Sequence, residues 1–377
     1  MVKRPLALVS ASLVSLALFA CATPAETAAD AASAVAASTP ATASPVPAGP
    51  APLPAVPQPP ERPVAPPSVT DPAIPQAQRI AAFVDYTAET YGVDRQRIRD
   101  VLAGAAHKQS IIDAMSRPAE AVRPWRDYRP IFINDARISG GKAFYAENRE
   151  ALDRVAAETG VPAEYIVAII GVETSYGRIT GNHRVVDALY TLAFGFPKRA
   201  PFFAGELAQL FALNAEEPQL DIAALKGSYA GAMGMGQFMP SSYRLWAKDG
   251  DGDGRRDLLT HKPDVFASIA NYFVIHGWER GAPVVARASR DGGAADFKPE
   301  GLEPAHRLSE LAERGYRPLP GQPVAEGATL LSFDGASGPE YWLGYRNFYV
   351  ISRYNRSPMY SLAVHQLAQA IAGREPQ

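Results

Sequence analysis

Glu173 is the leading candidate for a catalytic side chain, and it lies within the run GVETSYG from Gly171 to Gly177. It follows an apolar stretch that begins near Tyr165 and predicts a buried helix. A carboxyl at the end of such a helix is partly removed from water, which raises its pKa. A carboxyl that stays protonated near neutral pH can act as a general acid. The motif alone is equally consistent with a surface glutamate near a helix end.

A second segment, from Lys226 to Ser242, reads KGSYAGAMGMGQFMPSS. Its alternating glycines and small residues permit a close backbone approach, either to a ligand or to another helix. Ser228 and Gln237 could hydrogen-bond a sugar or an N-acetyl group, and nearby aromatic and methionine side chains supply apolar faces. Ligand pockets combine these two kinds of surface. The alternative interpretation is a segment rich in Gly and Met that packs helices together.

An acidic segment follows, with the spacing of a calcium-binding EF-hand loop. The matching residues, at loop positions 1, 3, 5, 6, 7 and 9, are Asp249, Asp251, Asp253, Gly254, Arg255 and Asp257. Position 12 departs from the pattern, because Thr260 stands where a bidentate glutamate is expected. The alternative is a solvated acidic turn.

Four segments occur in a fixed order along the chain and together resemble the membrane-bound lytic murein transglycosylase B family. They are ETSYG from Glu173, GSYAGAMGMGQFMPSSY from Gly227, NYF from Asn271 and YNRSPMY from Tyr354. The resemblance covers about residues 78–373. It implies a lysozyme-like core with added helical and β parts. It also implies cleavage of the bond between N-acetylmuramic acid and N-acetylglucosamine without water, which leaves a 1,6-anhydromuramic end.

The resemblance gives Glu173 both proton-transfer roles. Glu173 would protonate the glycosidic oxygen and then take the proton from the muramoyl C6 hydroxyl, while the substrate's N-acetyl carbonyl assists through an oxazolinium-like species. One carboxylate then suffices, unlike the pair that most glycosidases use. Consistent with this, neither the Glu173 motif nor the Gly/Met segment contains a second acidic residue.

The same resemblance assigns substrate contacts by motif position. Ser228 and Gln237 would line the site, Asn355 would contact the sugar near Glu173, and three tyrosines would form aromatic walls or hydrogen-bond the carboxyl. A tyrosine on the N-terminal side and an arginine would contact peptide or glycan. The three tyrosines of the walls are Tyr272, Tyr354 and Tyr360. The N-terminal tyrosine is Tyr128, and the arginine is Arg199. Core packing is the alternative for each tyrosine.

For the acidic segment, the resemblance implies a longer loop in which a later acid, Asp264, replaces the missing glutamate. The expected metal set is therefore Asp249, Asp251, Asp253, Arg255, Asp257 and Asp264. Calcium would be structural and would brace the loop beside the active site. No cofactor is expected for catalysis.

The only cysteine, Cys21, ends a predicted signal peptide at residues 1–21. A basic start and a short apolar run precede it, as in secretory signals. The sequence LFAC resembles a bacterial lipobox, which implies cleavage before Cys21 and lipidation of its thiol. Ala22 then suggests the outer membrane of a Gram-negative cell, with the protein in the periplasm. The alternative is an ordinary cleaved signal with a chance cysteine.

Residues 22–77 are rich in Ala and Pro and contain no aromatic residue, so we predict a disordered, semi-rigid linker. Residues 78–374 would form the catalytic domain, of α+β class and mainly α, with a β-rich insertion at about 284–350. Helical periodicity predicts helices over 79–91, 94–107, 139–160, 162–173, 204–213, 263–276 and 361–372. Strand-like runs cover 284–286, 329–333 and 341–351.

Charge and composition argue against nucleic-acid binding and against a zinc site. The 377-residue chain has a net charge of −2, so no basic stripe is available for nucleic acid. Its six histidines do not show zinc-ligand spacing. A muramidase-type hydrolase and an inactive peptidoglycan-binding lipoprotein remain as rivals. The expected partners are glycan strands, with cell-wall synthesis or division proteins as candidates, and a monomer is the default.

Overall fold

The computed structural model describes residues 53–55, 57–58, 60, 64–116 and 123–375. The signal peptide, Cys21 and most of the predicted linker lie outside these residues. Within them, no single helix is long and apolar enough to cross a membrane, although Arg149–Thr159 and Ala163–Thr174 pass that test together as a pair bent by 116°.

Helices make up most of the described chain. The first eight are α1 Pro67–Thr70, α2 Gln76–Tyr91, α3 Arg95–Ala103, α4 Gln109–Ser116, α5 Trp125–Phe132, α6 Asp135–Glu147, α7 Arg149–Thr159 and α8 Ala163–Thr174. The remainder are α9 Val185–Gly195, α10 Ala200–Glu216, α11 Pro240–Trp246, α12 Lys262–Ile275, α13 Leu308–Glu313, α14 Arg346–Tyr354 and α15 Pro358–Ile371, with a short 3-10 helix at Pro197–Arg199.

The central helix is α8, whose middle residues are apolar on every face. Ile166 to Ile170 have no exposed surface. α8 packs against α15 and α6, with further contacts to α7 and α12. A helix with no polar face gains stability only when it is surrounded, which explains its place in the middle of the main hydrophobic core.

The strands form two small sheets. β1 His183–Arg184 pairs with β2 Lys226–Gly227. The other five build an antiparallel sheet in the order β4-β6-β7-β3-β5. They are β3 Val285–Arg290, β4 His306–Arg307, β5 Tyr316–Pro318, β6 Gly327–Gly335 and β7 Gly338–Gly344.

The five-stranded sheet has a separate apolar layer on each face, as the alternation of side chains along a strand requires. Leu331, Phe333 and Trp342 belong to the main core, whereas Leu330 and Leu343 belong to a small second cluster. The sheet therefore joins the helical body through one face and carries its own small core on the other.

Several predicted elements are confirmed with small shifts of their ends. The Asp94 side chain accepts a hydrogen bond from the Arg97 amide and caps α3, which ends at Ala103 rather than near residue 107. Pro162 is the N-cap residue of α8. Helical periodicity did not predict α4, α5 or α9.

The prediction of one helix over 139–160 was wrong, because the helix is interrupted at Asn148. Its side-chain amide donates to the carbonyl of Phe144 at 2.7 Å, and its backbone amide also turns back to Phe144 at 3.2 Å. Asparagine competes for backbone hydrogen bonds in this way and favours helix ends. The interruption separates α6 from α7.

The β-type prediction for 341–351 was wrong in its second half, where α14 begins at Arg346. Asn347 is fully buried and bonds to the backbone of Glu279 and Ala282. Aromatic and β-branched runs do not by themselves distinguish a buried strand from a buried helix. Here the polar anchor at Asn347 fixes the helical start.

The predicted disorder of 22–77 was wrong for its last residues. α1 lies inside that range, Val69 is fully buried, and the Ala65 amide donates to the carbonyl of Pro201 at 3.1 Å. The Ala/Pro composition conceals these contacts because Val69 is an isolated apolar residue.

Earlier linker residues also lie along the domain, and we call the described residues among them, 53–55, 57–58, 60 and 64–66, the strap. A Cβ added to Gly327 would lie 3.0 Å from Cδ1 of Leu53, and one added to Gly277 would lie 2.9 Å from Cδ of Pro57. The side chain of Gln58 is hydrogen-bonded to Tyr349. The strap therefore touches the β insertion as well as the helical body.

Candidate active site

Glu173 lies in the last turn of α8, where the buried helix reaches the surface of the core. Tyr360, at the start of α15, donates its hydroxyl to Oε1 of Glu173 at 2.6 Å. Glu173 remains partly exposed, so a substrate can reach it. Burial raises its pKa to about 7, although the hydrogen bond from Tyr360 acts in the opposite direction. The predicted general acid therefore has the electrostatic environment that its role requires.

The backbone turns sharply after Glu173. Ser175, Tyr176 and Gly177 all have positive φ, at 53°, 65° and 82°. The hydroxyl of Thr174 accepts from the Gly177 amide at 3.0 Å and lies 2.9 Å from the carbonyl of Met235. Sequence reasoning missed the two non-glycine residues with positive φ and the hydrogen bonds of Thr174.

The Gly/Met segment packs directly on that turn, and it is a loop rather than a helix-packing element. A Cβ at Gly177 would lie 3.2 to 3.3 Å from three atoms of Met235. Gln237 has a φ of 53°, and its amide nitrogen donates to the carbonyls of Thr180 and Gly234 at 3.1 and 2.9 Å. Gln237 thus ties the loop to the chain that follows Glu173.

Ser228 is buried, and its hydroxyl oxygen accepts a hydrogen bond from the Ala232 amide at 3.0 Å. The Ser228 amide in turn donates to the Ala232 carbonyl at 2.8 Å. In the described structure, Ser228 therefore has a clear role in shaping the loop. Its predicted contact with substrate stays a prediction.

Two of the predicted tyrosines meet at the carboxyl. The charge of Glu173 contributes to raising the pKa of both Tyr354 and Tyr360 well above the ordinary value, after burial as the main cause. The Tyr354 hydroxyl donates to the carbonyl of Gly236 at 2.5 Å, which joins α14 to the Gly/Met loop.

Tyr272 is buried among aromatic side chains rather than facing the carboxyl. Its ring centroid lies 4.8 Å from Tyr354 and 3.9 Å from His276. Its hydroxyl donates to the carbonyl of Arg353 at 2.6 Å. These contacts support Tyr354, so core packing describes what Tyr272 does in this structure.

The remaining predicted contact residues occupy different elements. Asn355 is the C-cap of α14 and is partly exposed, next to Tyr354. Tyr128, on α5, is close enough to Tyr360 to contribute to the rise in its pKa. Arg199 lies in the 3-10 helix, with its guanidinium 4.5 Å from the ring centre of Phe202. Their contacts with substrate stay predictions.

The acidic loop has the geometry of a cation site. Carboxylate oxygens of Asp249, Asp251 and Asp253 lie within 4.8 Å of one another. The pKa of Asp249 is lowered, chiefly by the backbone amide of Gly254 at 2.8 Å. Asp249 is thus held ionised and oriented, as a hard-cation ligand must be.

Asp264 closes the base of the same loop. Its two oxygens accept the backbone amides of Gly250 and Asp257, each at 2.7 Å. His261 was missed as a possible ligand, although its Nε2 lies 2.9 Å from Asp251 and it groups with Asp251 and Asp264. The oxygen-rich donor set fits calcium, and the role of Asp264 as the later acid stays a prediction.

Comparison with known proteins identifies the family. The family model described as "Transglycosylase SLT domain" matches residues 75–369 of the chain. The membrane-bound lytic murein transglycosylase B of Escherichia coli (strain K12) is 42% identical over 79% of this chain and 83% of its own length. The chain belongs to the transglycosylase SLT-domain family. The resemblance predicted from four motifs is confirmed.

Solved structures of SLT-domain proteins agree with the fold. The soluble lytic transglycosylase SltB1 from Pseudomonas aeruginosa is 48% identical, with a TM-score of 0.74 over 78% of this chain and 98% of that chain. The Escherichia coli lytic transglycosylase Slt35 in complex with calcium is 39% identical, with a TM-score of 0.71 over 78% and 92%. The predicted fold class, mainly α with a lysozyme-like core and a small β insertion, is confirmed.

Proposed function

We propose that this protein is a peptidoglycan lytic transglycosylase. It cleaves the β-1,4 bond between N-acetylmuramic acid and N-acetylglucosamine without water and leaves a 1,6-anhydromuramic end, in cell-wall turnover and remodelling. The observation that carries the proposal is the single carboxyl of Glu173, whose pKa is raised to about 7 by burial. Among the described residues, Tyr360 is the one side chain whose hydrogen bond contributes to that pKa.

The first chemical step uses the protonated form of Glu173. Its proton passes to the glycosidic oxygen as the bond to the muramoyl anomeric carbon breaks. The carbonyl oxygen of the substrate's own N-acetyl group stabilises that carbon as an oxazolinium-like species. Because this assistance comes from the substrate, the enzyme needs no second carboxylate as nucleophile.

The second step uses the ionised form. The Glu173 carboxylate removes the proton from the muramoyl C6 hydroxyl, and the C6 oxygen attacks the anomeric carbon to close the anhydro ring. Glu173 ends protonated, so the acid is regenerated without water. The Tyr360 hydroxyl donates most strongly to the ionised carboxylate and stabilises it between the steps. A pKa near the working pH lets one group serve as acid and then as base.

The test is mass spectrometry of soluble products from purified peptidoglycan, with wild type and Glu173→Gln compared. Wild type should release muropeptides with anhydromuramic ends, and the variant should release none. Glu164→Gln is the matched control, because Glu164 lies in the first turn of the same helix and pairs with Arg374 at 2.5 Å. It should keep activity.

The products also distinguish the rival functions. Reducing-end products, heavier by one water, would make the protein a muramidase-type hydrolase. Retained glycan binding with no product from wild type would leave an inactive peptidoglycan-binding lipoprotein. Either result contradicts the proposed reaction.

Substrate contacts are part of the proposal. The polar groups of Ser228, Gln237 and Asn355 would bind the sugars around Glu173. Tyr128 and Arg199 would bind glycan or peptide further out. Replacement of Asn355 by Ala should raise KM or lower kcat without loss of fold, which steady-state kinetics and circular dichroism would measure together.

The proposed location is the periplasm, with a lipid anchor at Cys21 in the outer membrane. The lipobox-like LFAC sequence supports it, as does the membrane-bound relative from Escherichia coli. Cys21→Ser should move the protein from the outer-membrane fraction to the soluble periplasmic fraction. A variant that stays bound to the membrane would contradict the anchor.

We further propose that the acidic loop binds calcium in a structural role. The oxygen cluster of Asp249, Asp251 and Asp253 supports this, and the related Slt35 has been solved in complex with calcium. Calorimetry on chelator-stripped protein should detect binding, and Asp249→Asn should weaken it. Asp221→Asn, which alters an acidic turn outside the loop, should not. Absence of binding heat at millimolar calcium would contradict the site.

A further inference from the structure

Arg137, on α6, reaches across to the end of the catalytic helix. Its Nη1 donates to the carbonyl of Gly171 and lies 2.8 Å from the hydroxyl oxygen of Ser175. These two contacts fall two residues before and two residues after Glu173. The guanidinium therefore contacts the chain on both sides of Glu173, through the backbone carbonyl of Gly171 and the side-chain hydroxyl of Ser175.

Tyr176 completes the connection in the reverse direction. Its hydroxyl donates to the carbonyl of Arg137 at 2.6 Å. Its ring fills a slot made by glycines on both helices, because a Cβ at Gly171 would lie 2.7 Å from the ring and one at Gly141 would lie 2.7 Å from the hydroxyl. Only glycine at these two positions leaves room for the tyrosine.

The turn that follows Glu173 needs such support. The Gly171 carbonyl already accepts the backbone amide of Ser175 at 3.1 Å, so the guanidinium of Arg137 is its second donor. Non-glycine residues are sterically strained in the left-handed region, and Ser175 and Tyr176 are consecutive there. A guanidinium at a helix C-terminus adds a charged hydrogen bond to a carbonyl of the last turn and has a favourable interaction with the helix dipole.

We infer that Arg137, together with Tyr176, is a positioning residue for Glu173. It fixes the strained turn so that the carboxyl is held between Tyr360 and the substrate's glycosidic oxygen. Neither residue touches the reacting atoms. This inference rests on the proposed function, because the consequence is expressed in the rate of the transglycosylase reaction.

The test compares Arg137→Met with Arg280→Met. Arg280 also donates to helix C-terminal carbonyls, those of Ala157 and Glu158 at the end of α7, but it does not contact the turn after Glu173. Both variants should lose some thermal stability. Only Arg137→Met should lower kcat, by at least tenfold, with KM changed less than threefold.

The pH profile separates positioning from general destabilisation. In Arg137→Met we expect a looser turn and a more hydrated carboxyl, which should decrease the pH at which activity falls on the alkaline side. Loss of the positive charge acts in the opposite direction, so Tyr176→Phe, which changes no charge, isolates the effect of hydration. Tyr176→Phe keeps the ring in the glycine slot and removes one hydrogen bond, so it should show the same changes in milder form. Arg137→Lys should recover part of kcat, because an ammonium can still donate to one of the two oxygens.

Equal kcat and equal pH profiles for Arg137→Met and Arg280→Met would overturn the inference while leaving the proposed function intact. If wild type releases no anhydromuramic product, the proposed function fails first. The inference is then tested without turnover, by NMR titration of the Glu173 carboxyl in Tyr176→Phe and wild type. An unchanged titration would overturn it, and a lower pKa in the variant would support it.

Discussion

Glu173 must hold a proton in one step and release it in the next, and two neighbours set that balance. Burial favours the protonated form, while the hydroxyl of Tyr360 favours the ionised form. The result is a pKa of about 7, against 4.5 for an ordinary glutamate. The hydrogen bond from Tyr360 is the smaller of these two opposing effects. Its removal should therefore raise the pKa of Glu173 further and make the carboxyl a weaker acid.

Tyr360→Phe tests that balance. The lost hydrogen bond to a charged group is worth about 1.5–3 kcal/mol, which corresponds to a rise of about one to two units in the pKa of Glu173. Activity should then persist to higher pH on the alkaline side, with kcat lower by about tenfold or more because the carboxylate is a less stable intermediate. A pH profile of anhydromuropeptide release would measure both.

Tyr345→Phe is the matched control, since that hydroxyl donates to the carbonyl of Pro323 at 2.7 Å in the β insertion. It should leave the profile unchanged. If Tyr360→Phe also left the alkaline limb in place, the hydrogen bond would have no part in tuning the acid.

The raised pKa of Glu173 also predicts that the free energy of unfolding depends on pH. Between pH 4.5 and about 7, the folded state holds the Glu173 proton and the unfolded state releases it, so the free energy of unfolding falls as pH rises. Glu173→Gln removes this loss. Relative to wild type, its stability should increase by about 1–3 kcal/mol between pH 4 and pH 8.

Denaturant unfolding at the two pH values would measure the difference. Glu164→Gln leaves the buried acid in place and should follow the wild-type pH dependence. A pH-independent difference between Glu173→Gln and wild type would show that burial does not raise this pKa.

Among the elements, α8 and α15 carry the acid and its hydrogen-bond donor, and polar contacts within their interface fix their relative position. The hydroxyl of Tyr165, on α8, lies 2.7 Å from Nδ1 of His365, on α15, and both side chains are buried. Burial lowers the pKa of His365 to about 3, so it stays neutral at physiological pH. Gln366 accepts from Arg129 at 2.7 Å, which adds α5 to the assembly.

Asn347 anchors α14, the helix that carries Tyr354, and its hydrogen bonds lead to a prediction about stability. The buried amide accepts from the Glu279 backbone amide and donates to the carbonyls of Glu279 and Ala282, at 2.8 to 3.0 Å. Asn347→Ala leaves those groups unsatisfied in the interior, at a cost of about 2–4 kcal/mol in unfolding free energy. Gln96→Ala, on an exposed helix face, should cost less than about 0.5 kcal/mol. Equal costs in chemical denaturation would contradict the anchoring role.

The sequence predicts α8 and the place of Glu173 because an all-apolar helix with one terminal carboxyl is a local pattern. The meeting of Tyr354 and Tyr360 with Glu173 came from motif resemblance, not periodicity. Arg137 could not be found in this way, since its partners Gly171 and Ser175 lie 34 and 38 positions away at the end of another helix. The interruption at Asn148 and the start of α14 depend on individual side-chain bonds, which periodicity does not encode.

At the scale of the whole molecule, the β insertion and the helical body share one apolar core. The ring of Phe333, on β6, lies 5.4 Å from Trp125 on α5, and Arg126 forms an ion pair with Asp334. The insertion thereby holds the helix that carries Tyr128. The sequence indicated the insertion but not this contact, because the contact joins residues about two hundred positions apart.

Truncation tests where the folded domain begins. A chain that starts at residue 78 lacks Val69, which is fully buried, and the Ala65 bond to Pro201. It should lose about 3 kcal/mol or more compared with a chain that starts at residue 60, and the melting temperature should fall by roughly 6–12 °C. Equal melting temperatures in differential scanning calorimetry would instead support the domain boundary predicted from composition, between residues 77 and 78.

The strap has a consequence for how far an anchored enzyme can travel. If all of residues 22–77 were free, a protein attached at Cys21 could range up to about 200 Å from its point of attachment. The strap reaches back to Leu53, so an anchor at Cys21 would leave residues 22–52 as the spacer, which span at most about 110 Å even when fully extended. The longest distance between that anchor and the domain would then be nearly halved. The contacts between the strap and the domain would therefore also limit how far from the proposed anchor the active site can act.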